Sequence, residues 1–283
     1  MRSRNDMPLV AETLAALQRQ TVAHQLLVLD NDSTDGTVEE ARKYTEHVFT
    51  VPKGEYVPGR VLNHAMAATA GEIVVFLNSD CTPADDRWLE ELLNGFRDAT
   101  GQNDPAIAAV FGRQRPRPNC RPLFAKDIED TYGDGTRQRH WRHCFSMASS
   151  AVRRSAWQRK AFDETLLYSE DIDWTYRVRQ SGQRIHYVPD SVVYHSHNYT
   201  LKQYYWRQYG EGMAEAFILP WSRWQRSFLR YSLLPYGRQV LSDARYCLGH
   251  GAVLAMFSSP VLRLAQLLGR RAGFSEGWKE RGE

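Results

Sequence analysis

The chain has 283 residues, enough for one large α/β domain with an extension or for two small domains. Its 42% hydrophobic and 24% charged residues are ordinary for a globular protein with a sizeable core. The net charge of +3 divides unevenly: from Leu201 onward twelve Lys/Arg face six Asp/Glu, while the first 200 residues carry 24 against 27. A mildly acidic body with a basic tail excludes the usual nucleic-acid-binding profile.

Leu9, Leu14 and Leu17 recur at helical spacing and predict a helix over 9–20. Leu26-Leu27-Val28-Leu29 is a continuous apolar run too short for a helix, so it reads as a buried strand closed by Asp30. Thr37 with Glu40 three residues on predicts a capping box opening the next helix. Val48 to Val51 reads as a short strand, and Pro58-Gly59 precedes a helix over 60–70. Ile73 to Leu77 is the next buried strand. Pro83 and Asp85-Asp86 then start a helix whose apolar face is Trp88, Leu89, Leu92, Leu93 and Phe96. Residues 106–111 read as a strand, and 113–143, rich in Arg, Pro, Asn and Gly, as a long loop or short irregular helices. Residues 145–152 are apolar and small. A helix is expected over 171–180, ended by Gly182, followed by two short strands over 184–188 and 192–194.

From Leu201 the pattern turns helical, aromatic and basic, which places a boundary near 200: a body over 1–200 and an extension over 201–283. Ala252 to Leu268 is interrupted by Ser258, Ser259, Pro260 and Arg263, a poor transmembrane span and a better amphipathic helix, at an interface or against the body. Trp206, Trp221 and Trp224 with the basic residues suit peripheral membrane contact; the competing reading is a helical lid or a dimer surface. The start, Met1 to Asp6, has no apolar run of a signal peptide, and Cys81, Cys120, Cys144 and Cys247 sit at no metal spacing. Free thiols, a cytoplasmic location and contact with the inner face of the membrane are the expectations.

Strands alternating with helices imply a mostly parallel sheet with helices on both faces, and ligands bind such sheets at the carboxyl ends of the strands. The polar residues after Leu29, Val51 and Leu77 lie there. Asp30 can accept from a nucleobase imide or a ribose hydroxyl, or cap the following helix. Asp80 can hold a hard divalent cation against a diphosphate, or serve helix entry before Pro83. Glu170, Asp171 and Asp173 suit a helix N-terminus, yet three acids in four residues exceed capping needs, and a general base needs a carboxylate at a pocket edge. His195 and His197, two apart in an extended stretch, share a face and are candidate metal ligands. A calcium loop over Asp30–Asp35 fails on register, and no dinucleotide fingerprint, P-loop or nucleophile elbow is present.

The ordered motifs 29–37 (LDNDSTDGT), 58–63 (PGRVLN), 76–80 (FLNSD) and 170–174 (EDIDW), with 2–6 (RSRND) before them, resemble family 2 glycosyltransferases of the GT-A fold. The resemblance covers the chain to about Tyr209, and 195–203 (HSHNYTLKQ) is similar to the bacterial rhamnosyltransferase-like branch. It implies that Asp30 binds the base of a nucleoside-diphosphate sugar, with Ser3 and Arg4 lining the same pocket and Arg60, Asn63 and Ser79 on the nucleotide side. It implies Asp80 as the last acid of an Asp-x-Asp motif for Mn2+ or Mg2+, His195 as a second ligand with His197 competing, Asp171 as catalytic base and Glu170 as acceptor-orienting. The implied reaction is a single inverting displacement onto a saccharide or lipid-linked glycan acceptor in cell-envelope polysaccharide synthesis, with rhamnose among the donor sugars. Two departures stand out. Asn78 replaces the usual first Asp, which raises a non-catalytic sugar-nucleotide binder as the alternative. The apolar strand expected before Arg2 is also missing, so a truncated start or a very short first strand is expected.

Overall fold

The computed structural model describes residues 1–52, 54–138, 144–222 and 225–281. Two compact units divide the chain: a first of 1–117, 128–165 and 170–195, and a second of 118–127, 166–169 and 196–283.

The first unit is a sheet between helices. Its strands are β1 (Arg2–Ser3), β2 (Val28–Asp30), β3 (Val48–Thr50), β4 (Ile73–Leu77), β5 (Thr82–Pro83), β6 (Ile107–Arg115), β7 (Ser149–Arg153) and β8 (Arg184–Tyr194). The order is β3-β2-β1, then, through a parallel bridge between Arg2 and Asn78, β4-β7-β6-β8-β5. Among the described residues only β5 and β7 run against the others, so the sheet is mostly parallel as expected. Strand β1 is two residues long and its register comes from neighbours, with Ser3 opposite Asp30 and the Ser79 N–H donating to the Arg2 carbonyl at 2.9 Å.

Helices α1 (Leu9–Gln18), α2 (Thr37–Ala41), α3 (Pro58–Ala68) and α4 (Trp88–Asn94) connect the early strands. Strand β4 shows why both faces are covered, because its side chains alternate. Val74 and Phe76 enter one core with Leu62 and Met66 of α3. Leu77 enters the other, with Trp88, Leu89 and Leu92 of α4. Each such side chain contributes roughly 1.5–3 kcal/mol on burial.

Three local expectations change. The Thr37–Glu40 capping box does not form: Gly36, at φ +94°, takes the cap position, and Asp35 Oδ1 accepts from the Thr37 N–H at 3.1 Å and the Thr37 hydroxyl at 2.6 Å. Residues 113–143 are not mainly loop. Strand β6 runs on to Arg115, and α5 (Pro122–Tyr132) starts on a proline that needs no amide partner and buries Leu123 and Phe124; residues 139–143 lie outside the described residues. The two strands after α6 (Arg154–Arg159) and α7 (Glu170–Gln180) are one strand, β8, whose register shifts opposite Gly112/Arg113.

The second unit is helical: α8 (Leu201–Ile218), a π-helical turn (Leu229–Leu233), α9 (Leu234–Gly249) and α10 (Val253–Glu280). Thr200 and Gln203 form a reciprocal capping box at the start of α8. Gly269, Gly273 and Gly277 of α10 let it lie directly on α8: a Cβ on Gly273 would stand 1.9 Å from the Tyr209 carbonyl oxygen. Arg263, which interrupts the apolar run in the sequence, points inward. It is 1% exposed, forked onto Asp127 at 2.7 and 2.8 Å, and bonded to the buried Asp243 at 2.7 Å.

Candidate active site

The parallel register of β1 and β2 and the Arg2–Asn78 bridge set three strand ends side by side, Ser3, Asp30 and Asn78-Ser79-Asp80. Asp30 is fully buried. Its Oδ2 accepts from the Ser3 hydroxyl at 2.7 Å and the Ser33 hydroxyl at 2.7 Å, and its Oδ1 from the Ser33 N–H at 2.8 Å. The carboxylate thus ties the β1 end to the loop after β2. The Arg4 side chain is exposed beside it, and the Arg4 N–H donates to Asp6 Oδ2 at 3.0 Å. Ser79 is buried and its hydroxyl donates to that same Asp6 oxygen. Burial pushes the Asp6 carboxyl above its ordinary range, and the nearby charges of Asp80 and Asp35 add to the rise.

Arg60 and Asn63 are placed otherwise. Arg60 is exposed and faces Glu164 at 3.8 Å. Asn63 spends its whole amide on the segment after α6: Nδ2 donates to the Phe162 carbonyl at 3.0 Å and to Glu164 at 2.9 Å, while Oδ1 accepts from the Trp157 indole at 2.8 Å and the Phe162 N–H at 3.0 Å. Two donors and two acceptor positions are then used, and none is left for a nucleotide. Gly59 belongs to the same join, since a Cβ there would stand 1.8 Å from the Asp163 carbonyl oxygen.

Asp80 and His195 meet where β8 ends beside β6. Asp80 Oδ2 lies 3.5 Å from His195 Nε2, both side chains being 13–14% exposed. The orientation of the imidazole is set from behind: Nδ1 is 2.7 Å from Oε1 of the buried Gln114, whose Nε2 donates to Ser146 at 3.1 Å. A carbonyl oxygen only accepts, so Nδ1 carries the proton. In the neutral ring, Nε2 therefore turns a lone pair toward a carboxylate oxygen. Two acceptors facing each other need a proton or a cation between them. Bonds of about 2.1 Å to adjacent ligands of one ion put those ligand atoms roughly 3.0–3.4 Å apart, close to the spacing found. The pair therefore fits a divalent cation, with Gln114 as the outer partner that fixes the ligand. Arg117 braces the turn, donating to the Asp80 carbonyl at 3.0 Å and to Thr82 at 2.7 Å. His197 belongs to the second unit; it is exposed, with its ring 5.3 Å from that of Tyr199.

Glu170 and Asp171 open α7. Asp171 Oδ2 accepts from the Met147 N–H at 3.1 Å and Oδ1 from the Ile172 N–H at 2.8 Å. Burial, and then the neighbouring Glu170 charge, push its carboxyl up to about 7. Asp173 belongs to a different interaction, an i,i+4 pair with Arg177 at 2.8 Å. Glu170 is 8% exposed and faces Arg2 Nη1 at 3.4 Å, while Arg2 Nη2 donates to Asn78 Oδ1 at 3.0 Å. Arg2 and Asp6 lie in the 2–6 motif without a role read from the sequence, and Gln114 went unnoticed, since a glutamine late in a strand carries no motif. Cys81 and Cys144 are no thiolate nucleophiles, because burial holds Cys81 well above its ordinary value and pushes Cys144 up to about 12.

Residues 2–160 match Glycosyl transferase family 2. Among curated proteins, the O-antigen chain rhamnosyltransferase WbaN of Salmonella anatum is 33% identical over 229 residues, which are 77% of this chain and 70% of that protein. The O-antigen chain rhamnosyltransferase RfbN of Salmonella typhimurium is 30% identical over 76% of this chain and 70% of its own length. Among solved structures, the mannosyltransferase PcManGT of Pyrobaculum calidifontis, in complex with GDP-Man and Mn2+, aligns with 97% of this chain and 86% of its own at TM-score 0.65 and 18% identity. Glucosyl-3-phosphoglycerate synthase from Mycobacterium tuberculosis, with Mn2+, UDP and phosphoglyceric acid, aligns at TM-score 0.56 and 18% identity over 78% of each chain. The fold is therefore GT-A.

Proposed function

The chain belongs to glycosyl transferase family 2, in its rhamnosyltransferase-like branch, and from that premise we propose that it moves a sugar, rhamnose first among the candidates, from a nucleoside-diphosphate donor to a hydroxyl of a saccharide or lipid-linked glycan with inversion. The observation that carries this reading is Asp171. A base must be ionised at working pH yet keep a real affinity for the proton, and a carboxyl raised to about 7 meets both needs. Asp171 takes the acceptor hydroxyl proton as that oxygen attacks the anomeric carbon. Glu170, held by Arg2, accepts from a second acceptor hydroxyl and orients the nucleophile. Ser3, Arg4 and the Ser33 loop tied by Asp30 frame the base and ribose, and Ser79 shapes the turn under the diphosphate. Asp80 and His195 would hold Mn2+ or Mg2+, with His197 the competing ligand. When bound, the ion supplies positive charge for the diphosphate that leaves.

A screen of nucleoside-diphosphate sugars with and without Mn2+ tests the reading, with wild type and Asp171→Asn compared for donor hydrolysis and binding. Turnover lost in the variant while donor binding persists is the expected result. Binding without turnover for every donor and metal would instead make the chain the non-catalytic binder that Asn78 raises.

The reading extends to a peripheral location on the cytoplasmic face of the membrane, and one face of α10 supports the membrane contact itself. Leu254, Phe257, Val261, Leu264 and Leu268 follow one another at spacings of three and four and are all exposed, Leu254 at 87% and Phe257 at 71%. Leu262 and Arg263 are buried on the opposite side. No described helix is long and apolar enough to cross a membrane, so this stripe suits a helix lying in the lipid surface. Exposed Arg238 and Arg245 on α9 supply charge for anionic headgroups. Trp206 is exposed, Trp221 packs inward on Tyr231 and Phe274, and Trp224 lies outside the described residues. Co-sedimentation with anionic vesicles, lost in Phe257→Asp, is expected; retention in the variant would count against it.

A further inference from the structure

A concave pocket of about 300 Å3 opens in the second unit, between the π-helical turn, the first turns of α9 and the middle of α10. That is the lower end of the size range of small-molecule sites, roughly 300–1,000 Å3. One wall is aromatic and rigid: Trp221 meets Tyr231 edge to face at 5.4 Å, and Tyr231 is stacked on the buried Phe274 at 4.2 Å with its hydroxyl on Glu215 at 2.8 Å.

The remaining wall is polar, and among the described residues much of its hydrogen-bonding capacity is unspent. Gln225 Oε1 accepts from the Ser222 N–H at 3.0 Å and hydroxyl at 2.8 Å, which leaves its amide donors over. Gln266 Oε1 accepts from Arg263 at 3.0 Å, which again leaves the amide donors. Gln239 is the converse: its Nε2 donates to Asp127 at 3.3 Å and its carbonyl remains. The Ser232 side chain is 4% exposed, and its hydroxyl has no partner among the described residues. An orphaned buried hydroxyl costs about 1–3 kcal/mol, so it marks a place where a partner is expected. A π-helical turn at the same spot agrees with its frequent use at functional sites.

Three arginines line the pocket, Arg230, Arg263 and Arg270, and the last two are held by carboxylates. Arg263 is neutralised by Asp127 and Asp243, and Arg270 is forked onto Glu215 at 2.9 Å through both nitrogens. Apart from Arg230, the rest of the lining is a mixture of neutral donors and acceptors beside aromatic rings. A ligand with an apolar ring face and hydroxyls around its edge answers both halves of that lining.

We propose that this pocket is a saccharide-binding subsite, separate from the donor site, which takes one neutral sugar ring against Trp221 and Tyr231 with its hydroxyls on Ser232, Gln239 and Gln266. Its use for holding an acceptor glycan rests on the transferase reading; the binding itself does not. The test uses the full chain without nucleotide, titrated with free L-rhamnose, D-mannose and D-galactose and followed by saturation-transfer NMR. Wild type binds at least one of the three. Gln266→Leu and Ser232→Leu each weaken that binding about fivefold or more, the effect of losing a neutral hydrogen bond. If Ser232→Leu loses its native circular dichroism, Gln225→Ala, at an exposed position, replaces it. Asp171→Asn binds as wild type does. The proposal is overturned if none of the three sugars binds, if the pocket variants bind unchanged, or if Asp171→Asn alone abolishes the signal, which would put the sugar at the other site. Donor turnover, measured on the same samples, reports separately on the transferase reading.

Discussion

Replacing Asp171 with Asn should make the protein inactive and, above neutral pH, more stable. The carboxyl ionises at 3.8 in an ordinary setting and at about 7 in the fold. A rise of about three pH units corresponds to roughly 4 kcal/mol of unfavourable electrostatics once the group is ionised. The sign follows from linkage. With the folded value above the unfolded one, wild-type stability falls as pH rises from about 4 to 7, and the whole penalty is present above that window. Asn removes the charge but keeps only one oxygen, so either the Met147 or the Ile172 N–H loses its acceptor, at a cost of about 1–2 kcal/mol. The balance is roughly 2–3 kcal/mol in favour of the variant at pH 8, or about 5 °C in melting temperature. Near pH 4 the carboxyl is neutral in wild type as well, and the variant should melt slightly lower. Thermal melts of both proteins at pH 4 and 8 without nucleotide decide. A variant that melts below wild type at pH 8, or gains equally at both pH values, refutes a base held at raised affinity for its proton.

Wild-type turnover should fall about tenfold per pH unit below 7, as the base is protonated. Arg2→Met removes the cation that helps to hold Asp171 ionised, and should move that limb of the pH–rate profile upward by roughly half to one unit; an unmoved limb separates Arg2 from the base. Gln114→Leu takes away the acceptor that fixes the His195 tautomer and should weaken Mn2+ binding, read by calorimetry, about 10–100-fold while the fold persists; unchanged affinity would remove His195 from the ligand set. Gly59→Ala forces a Cβ against the Asp163 carbonyl and should cost about 3 kcal/mol in chemical denaturation, whereas a neutral result would mean that the 157–164 segment moves aside freely.

The strand-end carboxylates were legible because their signal is local. A continuous apolar run ending in Asp30 or Asn78-Ser79-Asp80, and an acidic cluster opening a helix at Glu170, each fit within a few residues. Their partners were not, because those depend on which strands become neighbours. Arg2 reaches Glu170 and Asn78 only through the β1–β4 bridge, and Gln114 reaches His195 only through the β6–β8 pairing. Asn63 shows the opposite failure. Its motif was legible, yet its amide is spent on the 157–164 segment, as tertiary packing rather than local spacing decides. The Thr37 capping box failed for a similar reason: Asp35, two residues earlier, already holds the Thr37 amide and hydroxyl.

Asn78 then reads less as a lost acid than as part of a charge balance. Arg2 is mostly buried, at 16% side-chain exposure, and lies between Asn78 and Glu170. An Asp at 78 would add a second carboxylate to that guanidinium, and the arginine would have to be shared with Glu170. With a neutral amide at 78, the Arg2 charge stays on the Glu170–Asp171 side, where it lowers the proton affinity of Asp171 against the opposing effects of burial and Glu170. A neutral residue at 78 thus keeps one positive charge beside Asp171 and, on the proposed reading, one negative charge fewer on the diphosphate side. Restoring the acid tests this directly. Asn78→Asp should tighten Mn2+ binding through the added charge, and it should also raise the pH at which turnover half-falls, because Arg2 is drawn away from Asp171. Tighter metal with an unmoved pH limb would show that Asn78 acts on the cation alone; a higher pH limb with unchanged metal affinity would show that it acts only through Arg2.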